Sequence, residues 1–262
     1  MTLEVRILGC GSSGGVPRLG GPDGAGYWGA CDPANLKNRR SRCCILVKQG
    51  TSQLLVDTSP DLREQLLGAR VTALDGVLIT HDHADQLHGL DDLRVLALLN
   101  KRRIGLWSDA RGMAGIRAKF NYVFETPPGS DYPPILDAHE IAEPFETFDI
   151  AGITVRTFGV GHGRIRSLGF RFGAIAYCPD VDALDEAAFA ALEGVECWIV
   201  DALRHTPHPS HAHLGRTLEW IARVKPKRAI LTNMHVDMDY ESLRKSLPSG
   251  VEPAHDGMIV QA

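Results

Sequence analysis

A run of side chains able to bind metal, Thr80-His81-Asp82-His83-Ala84-Asp85-Gln86-Leu87-His88-Gly89, follows directly on the apolar stretch Gly76-Val77-Leu78-Ile79. Imidazole nitrogens and carboxylate oxygens are the donors that suit zinc and related divalent ions. Two histidines separated by one residue can point the same way from a strand end or loop, and Asp85 follows within reach of a second ion. Alone, such a run is equally a polar surface turn. Three later places repeat the pattern. Val160-Gly161-His162-Gly163, Tyr177-Cys178-Pro179-Asp180 and Thr232-Asn233-Met234-His235 each set a ligand-type residue at the end of an apolar stretch. Strand ends at one edge of a sheet can converge on a single cleft, so the four places together predict a metal centre.

Those ends need strands behind them. Leu3 to Leu8 alternates polar and apolar residues, and Cys43 to Val47, Gln53 to Val56 and Gly76 to Ile79 read as further strands. The Gly-rich stretch from Gly9 to Gly29 reads as irregular, and long irregular segments of compact domains are commonly functional. A short helix is expected from Asp61 to Leu67, a second from Asp91 to Leu99, and a helix followed by a lid-like loop between Ala110 and Pro134. Further on, Ile153 to Phe158, Leu168 to Phe172, Ala174 to Cys178, Cys197 to Val200 and Arg228 to Leu231 read as strands. Asp182 is placed to cap a helix running to Leu192, and Leu214, Leu218, Ile221 and Ala222 mark one face of another. Two strand-rich halves, each with helices outside, predict an α/β sandwich of two sheets.

The 262 residues suffice for one large domain, residues 1–262, with a buried core. A charged fraction of 23% beside 44% apolar residues excludes a disordered chain, and a net charge of −4 gives no reason to expect non-specific nucleic-acid binding. The cysteines, Cys10, Cys31, Cys43, Cys44, Cys178 and Cys197, contain no C-x-x-C pair, which argues against a disulfide scaffold or a cysteine-only zinc knuckle. The N-terminus has no signal-peptide-like apolar run and no stretch is long enough to span a bilayer, so a cytoplasmic location is expected.

The order strand, His-x-His-x-Asp, then His162, Asp180 and His235 resembles the metallo-β-lactamase superfamily, as does Asp57 in Leu55-Val56-Asp57-Thr58. Within it the chain is similar to the phosphodiesterases of the carbon–phosphorus lyase pathway, and more distantly to tRNA 3′-end endonucleases. The matching segments are His162-Gly-Arg-Ile-Arg-Ser-Leu-Gly-Phe170, Tyr177-Cys-Pro-Asp180 and Val200-Asp201-Ala202 with the His-rich loop to His213. The resemblance implies a four-layer αββα sandwich and a hydrolytic centre of two divalent ions, zinc first and manganese as the alternative. A divalent ion lowers the pKa of bound water from 15.7 to about 7, which supplies hydroxide as nucleophile.

On that resemblance His81, His83 and His162 hold the first ion. Asp85 and His235 hold the second, and Asp180 bridges, so both carboxylates count as catalytic. Asp57 and Gln86 stand behind the ligands. His213 lies beside the substrate phosphate as general acid, while His205, His208 and His211 are read as solvent-facing. The chain departs from the family at Gln86 and Asn233, where histidines are usual. An amide oxygen is the weaker ligand, so the second ion is expected to be weak, different, or held by a set that includes His235 or His88. The family's structural zinc is not expected, because Cys31 stands alone and Val236 occupies its histidine position.

Arg164 and Arg166, with Ser12 and Ser13 of the Gly-rich loop, are the candidate phosphate contacts. Arg39, Arg40 and Arg42 also lie close to that loop. The expected reaction is hydrolysis of a small nucleotide or cyclic phosphodiester. The alternatives are a tRNA-processing endonuclease, a thioester or lactam hydrolase, or a non-catalytic nucleotide sensor. The expected partner is a small phosphate-containing substrate, with no large nucleic acid and no membrane; a homodimer is left open.

Overall fold

Period-two burial sorts the strands of this computed structural model into two sheets. The structure describes residues 2–143 and 146–261. The first sheet uses β1 (Leu3–Gly9), β2 (Cys44–Gln49), β3 (Ser52–Val56), β4 (Gly76–Leu78), β5 (Ile104–Asp109) and β6 (Leu136–Ile141). The second uses β7 (Thr147–Ile150), β8 (Ile153–His162), β9 (Ile165–Phe172), β10 (Ile175–Cys178), β11 (Cys197–Asp201), β12 (Arg228–Thr232) and β13 (Val251–Pro253). The last strand, β14 (Ile259–Gln261), returns to pair antiparallel with β1, giving the orders β14-β1-β2-β3-β4-β5-β6 and β13-β12-β11-β10-β9-β8-β7.

Three apolar clusters separate four layers. Ile7, Ile45, Val56, Val155, Phe170, Tyr177 and Ile199 fill the space between the sheets. Leu46, Leu55, Val77 and Leu106 face the other way, onto α1 (Leu62–Ala69), α3 (Leu93–Leu99) and α4 (Ala110–Phe120) through Leu66, Ala97 and Ile116. Ala176, Trp198 and Val200 cover α5 (Glu186–Leu192) and α6 (Leu214–Val224) through Leu192, Trp220 and Val224. This is the αββα arrangement expected from sequence. Two short helices complete it, α2 (Ala84–Leu87) directly after the first histidine pair and α7 (Tyr240–Ser246). Among the described residues no helix is long and apolar enough to cross a membrane.

Some local expectations need correction. The helix ending at Leu192 starts at Glu186, capped by Asp185, whose side chain accepts from Ala188 N. Asp182 cannot begin it, because its N–H donates to the Gly161 carbonyl and Ala183 bridges to Gly161. Strands β5, β6 and β7 lie in stretches with no strand expected. Residues 10–29 contain only turns and isolated bridges. Gly11 threads past residues 40–42 there, donating its N–H to the Ser41 carbonyl; a Cβ on it would sit 2.9 Å from the Arg40 carbonyl oxygen. The following Ser12 N–H donates to the Met234 carbonyl, which ties the loop to the end of β12.

Candidate metal centre

Strands β3 and β4 run parallel in one sheet and β10, β11 and β12 run parallel in the other. Ligands of α/β sheets bind outside the carboxyl ends of such strands. Here those ends, with the end of β8, carry Asp57, His81, His83, His162, Asp180, Asp201 and Asn233. Asp57 and Asn233 sit at φ 66° and 60°, left-handed conformations that Asp and Asn tolerate better than most residues. Each lets the chain turn sharply off its strand.

His81, His83 and His162 bring their donor atoms within 4.8 Å of one another, and so do His162, Asp180 and His211. The ring centroids of the first three stand 4.4–5.0 Å apart. Tetrahedral zinc holds ligand nitrogens at about 2.0–2.1 Å, which separates two of them by roughly 3.3 Å. His83 Nδ1 and His162 Nε2 are 3.2 Å apart. The far nitrogens are spoken for: His162 Nδ1 lies 2.6 Å from the Ser210 carbonyl and so carries the proton. His81 Nδ1 lies 3.0 Å from Thr80 Oγ1 and 3.4 Å from Ser167 Oγ. That leaves His81 Nε2 buried with no hydrogen-bond partner, as a metal-facing lone pair would be. The residues present fit one divalent ion.

Electrostatics agree. Burial pulls the His81 imidazole well below its usual range, with His162 and His83 adding to the effect. Burial pulls His162 down to about 4, and it lowers His83 as well. The three rings are therefore neutral donors at pH 7. Burial pushes the Asp180 carboxyl well above its usual range, against the opposing charge of His211. A cation beside Asp180 would offset that cost.

Behind the ligands, Asp57 is fully buried and accepts from Thr80 N at 2.8 Å and Thr80 Oγ1 at 2.9 Å. It orients His81 through Thr80 rather than by touching the ring. Gln86 Nε2 donates to Asp180 Oδ2 at 3.0 Å, and Asn233 Nδ2 lies 3.4 Å from Asp180 Oδ1. Asp85, half-buried on α2, acts electrostatically on Asp57, Asp180 and His211.

The reading of His211 as solvent-facing is overturned. Its Nδ1 lies 3.0 Å from Asp201 Oδ2 and 3.5 Å from Asp180 Oδ1. Burial alone would lower its pKa, but the hydrogen bond and charge of Asp201, then Asp180 and Asp85, raise it to about 9. His213, two residues on, is the N-cap of α6 with its ring beside Gly215, and among the described residues it makes no side-chain hydrogen bond or ion pair to a carboxylate. Both histidines lie in the irregular stretch between β11 and α6, so residue type and spacing alone do not choose between them. Asp201 was not expected as a site residue, although it carries the same signal as Asp180, an acid ending a wholly buried strand.

His235 joins neither donor group; its Nδ1 is 3.0 Å from Asp237 Oδ1. His88 is exposed, with its ring edge-on to Phe120. His235 instead lines a polar cleft of about 250 Å³, together with Ser12, Ser13, Arg18, Arg204 and His208; His211 and Asn233 connect this cleft to the centre. Ser12 Oγ and Arg18 Nε are buried there without a hydrogen-bond partner. Arg164 and Arg166 do not line it. Along β9, buried Ser167 faces His81, so Arg166 points to the opposite side, where it pairs with Glu143 at 3.0 Å and borders a separate cavity. Arg40 is buried, donating to the Met238 carbonyl at 2.7 Å, and Arg42 pairs with Asp61. A separate cavity of about 580 Å³ beside Arg39, Arg42 and Asp256 is lined by none of the clustered histidines. Cys31 and Val236 pack with Val16 and Trp28 in a small apolar cluster.

Comparison with known proteins agrees with this geometry. The beta-lactamase superfamily domain matches residues 52–234. A crystal structure described as a new diphosphatase from the PhnP family superposes with a TM-score of 0.89 at 29% identity, covering 100% of this chain and 98% of that one. An octanoyltransferase of Porphyromonas gingivalis is 30% identical over 98% of this chain and 51% of its own length. A ribonuclease Z of Mycobacterium sp. (strain KMS) is 27% identical over 63% of this chain and 59% of its own. The chain thus spans about half the length of these curated relatives. Since the matched span takes in His81, His83, His162 and Asp180, and the two-sheet scaffold behind them is shared, this chain belongs to the metallo-β-lactamase superfamily.

Proposed function

We propose that the protein is a metal-dependent phosphodiesterase acting on a small nucleotide or cyclic phosphodiester. The observation that carries this reading is the junction of two features. Three neutral imidazoles meet a buried carboxylate, and the cleft beside them carries Arg18, Arg204 and an unpartnered Ser12 hydroxyl. Guanidinium and hydroxyl groups recognise phosphate oxygens. The overlap with a PhnP-family diphosphatase along the whole chain supports phosphoryl chemistry. The cleft's volume of about 250 Å³ suits a small substrate better than a folded RNA.

His81, His83, His162 and Asp180 would hold the ion, with zinc the best match to this donor set and manganese the alternative. When bound, it would supply Lewis acidity toward a phosphoryl oxygen and lower the pKa of water to about 7. The chain's own residues do the rest. Arg18 and Ser12 would hold non-bridging oxygens. His211 would be held protonated by Asp201 and would deliver a proton to the leaving oxygen. Gln86 and Asn233 would keep Asp180 fixed.

The test is turnover of bis(p-nitrophenyl) phosphate by protein loaded with zinc or manganese. Turnover is expected with at least one ion. It should vanish in His81→Ala with the fold intact and fall by about 10²–10⁴-fold in His211→Asn. Metal-loaded protein that turns over nothing would contradict an enzymatic role and favour a nucleotide sensor.

A further inference from the structure

We propose that the centre binds a single divalent ion, with hydrogen-bond donors taking the place of the second. This rests on the metal-centre reading above and departs from the two-ion expectation. A second ion would need its own donors on the side of Asp180 away from His81 and His83. Gln86 and Asn233 both turn N–H groups toward that carboxylate. Gln86 Nε2 donates to Oδ2 at 3.0 Å and Asn233 Nδ2 lies 3.4 Å from Oδ1. A cation cannot sit where two N–H groups point.

Asp201 favours the same Asn233 orientation, although the amide nitrogen also lies 3.1 Å from His211 Nδ1. Asn233 Nδ2 is 3.2 Å from Asp201 Oδ1, so rotating the amide would set its oxygen against two carboxylates. On its other edge, Cys43 Sγ lies 4.0 Å from Asn233 Oδ1, on the acceptor side.

The two donor groups do not amount to two sites, because they share His162. One ring nitrogen of His162 is committed to the Ser210 carbonyl at 2.6 Å, so the ring can serve one ion. His211 presents Nδ1 to Asp201 at 3.0 Å, and His235 Nδ1 is engaged by Asp237. Of the remaining donors, Asp85 offers one carboxylate and Gln86 an amide oxygen buried without a partner, a weak pair where catalytic zinc takes three protein ligands. The clamp on attacking and leaving oxygens that two ions would supply would then be shared between the ion held by the histidines and the donors of His211 and the cleft.

The experiment counts ions. Full-length protein is stripped with chelator, reloaded with excess zinc, freed of unbound metal by gel filtration and measured by plasma mass spectrometry. A parallel cobalt(II) titration follows visible absorption. One equivalent per chain is expected in both, and Asp85→Asn should leave the count at one. Two equivalents in the wild type, or a drop from two to one in Asp85→Asn, would overturn the proposal. No bound ion at all would instead sink the underlying metal-centre reading. The double variant Gln86→His/Asn233→His, checked for fold by circular dichroism, should rise to two equivalents. If folded and still at one, these amides are not what excludes the second ion. Should it fail to fold, the wild-type and Asp85→Asn counts still decide.

Discussion

Thr80 shows how much of this centre depends on a side chain that binds nothing itself. Its hydroxyl proton goes to Asp57, so its lone pair is left to accept from His81 Nδ1–H, which fixes Nε2 as the free nitrogen. Partners that fix a ligand's tautomer are typically worth 10–100-fold in metal affinity. Thr80→Val keeps the shape and removes the hydroxyl. It should weaken zinc binding by that factor in a competition assay against a chromophoric chelator, with the histidine ligands untouched. An unchanged affinity would mean that Asp57 and Thr80 serve only to close the turn after β3.

At the scale of elements, the site depends on loops being pinned where strands end. Asp256, just before β14, accepts from Ser41 N and Oγ at 2.7 Å and from Cys10 N at 3.1 Å, tying the C-terminus to the loop that presents Ser12. Burial raises the Asp256 carboxyl to about 6, outweighing those hydrogen bonds. An acid whose folded pKa lies above its unfolded value near 3.8 holds its proton better when folded. Its contribution is therefore fully present below pH 3.8 and lost as pH rises through about 6. The difference between 3.8 and about 6 corresponds to about 3 kcal/mol. Asp256→Asn removes this ionisation. Denaturant unfolding at pH 4 and pH 7 should then show a smaller fall between the two than in the wild type. An identical fall in both would show that this carboxyl does not titrate with folding.

His81, His83, His162 and Asp180 were legible in the sequence because each ends a strand whose apolar run is unmistakable, as in Gly76 to Leu78 and Ile175 to Cys178. The edge strands β6 and β7 were not, because half-exposed sheet edges carry Asp137, Glu140 and Asp149 and lose the apolar alternation. His211 was not distinguishable from His213, since both sit in one irregular loop, and only the position of Asp201 selects between them. The role of Gln86 and Asn233 as N–H donors also required three-dimensional neighbours. The sequence shows an amide but not which end faces the carboxylate.

At the scale of the molecule, the centre joins the two sheets. His81, His83, Asp85 and Asp57 come from the first half, and His162, Asp180, Asp201 and Asn233 from the second. The apolar layer between the sheets holds these halves in register, and strand β14 crosses back to close the first sheet. Anything bound between the strand ends therefore touches both sheets. Zinc-edge X-ray absorption on the loaded protein tests that arrangement most directly. Three imidazole nitrogens and at least one carboxylate oxygen are expected at about 2.0–2.2 Å, with imidazole scattering reduced in His162→Ala. A thiolate in the coordination shell, or a shell of oxygens without imidazole, would contradict it.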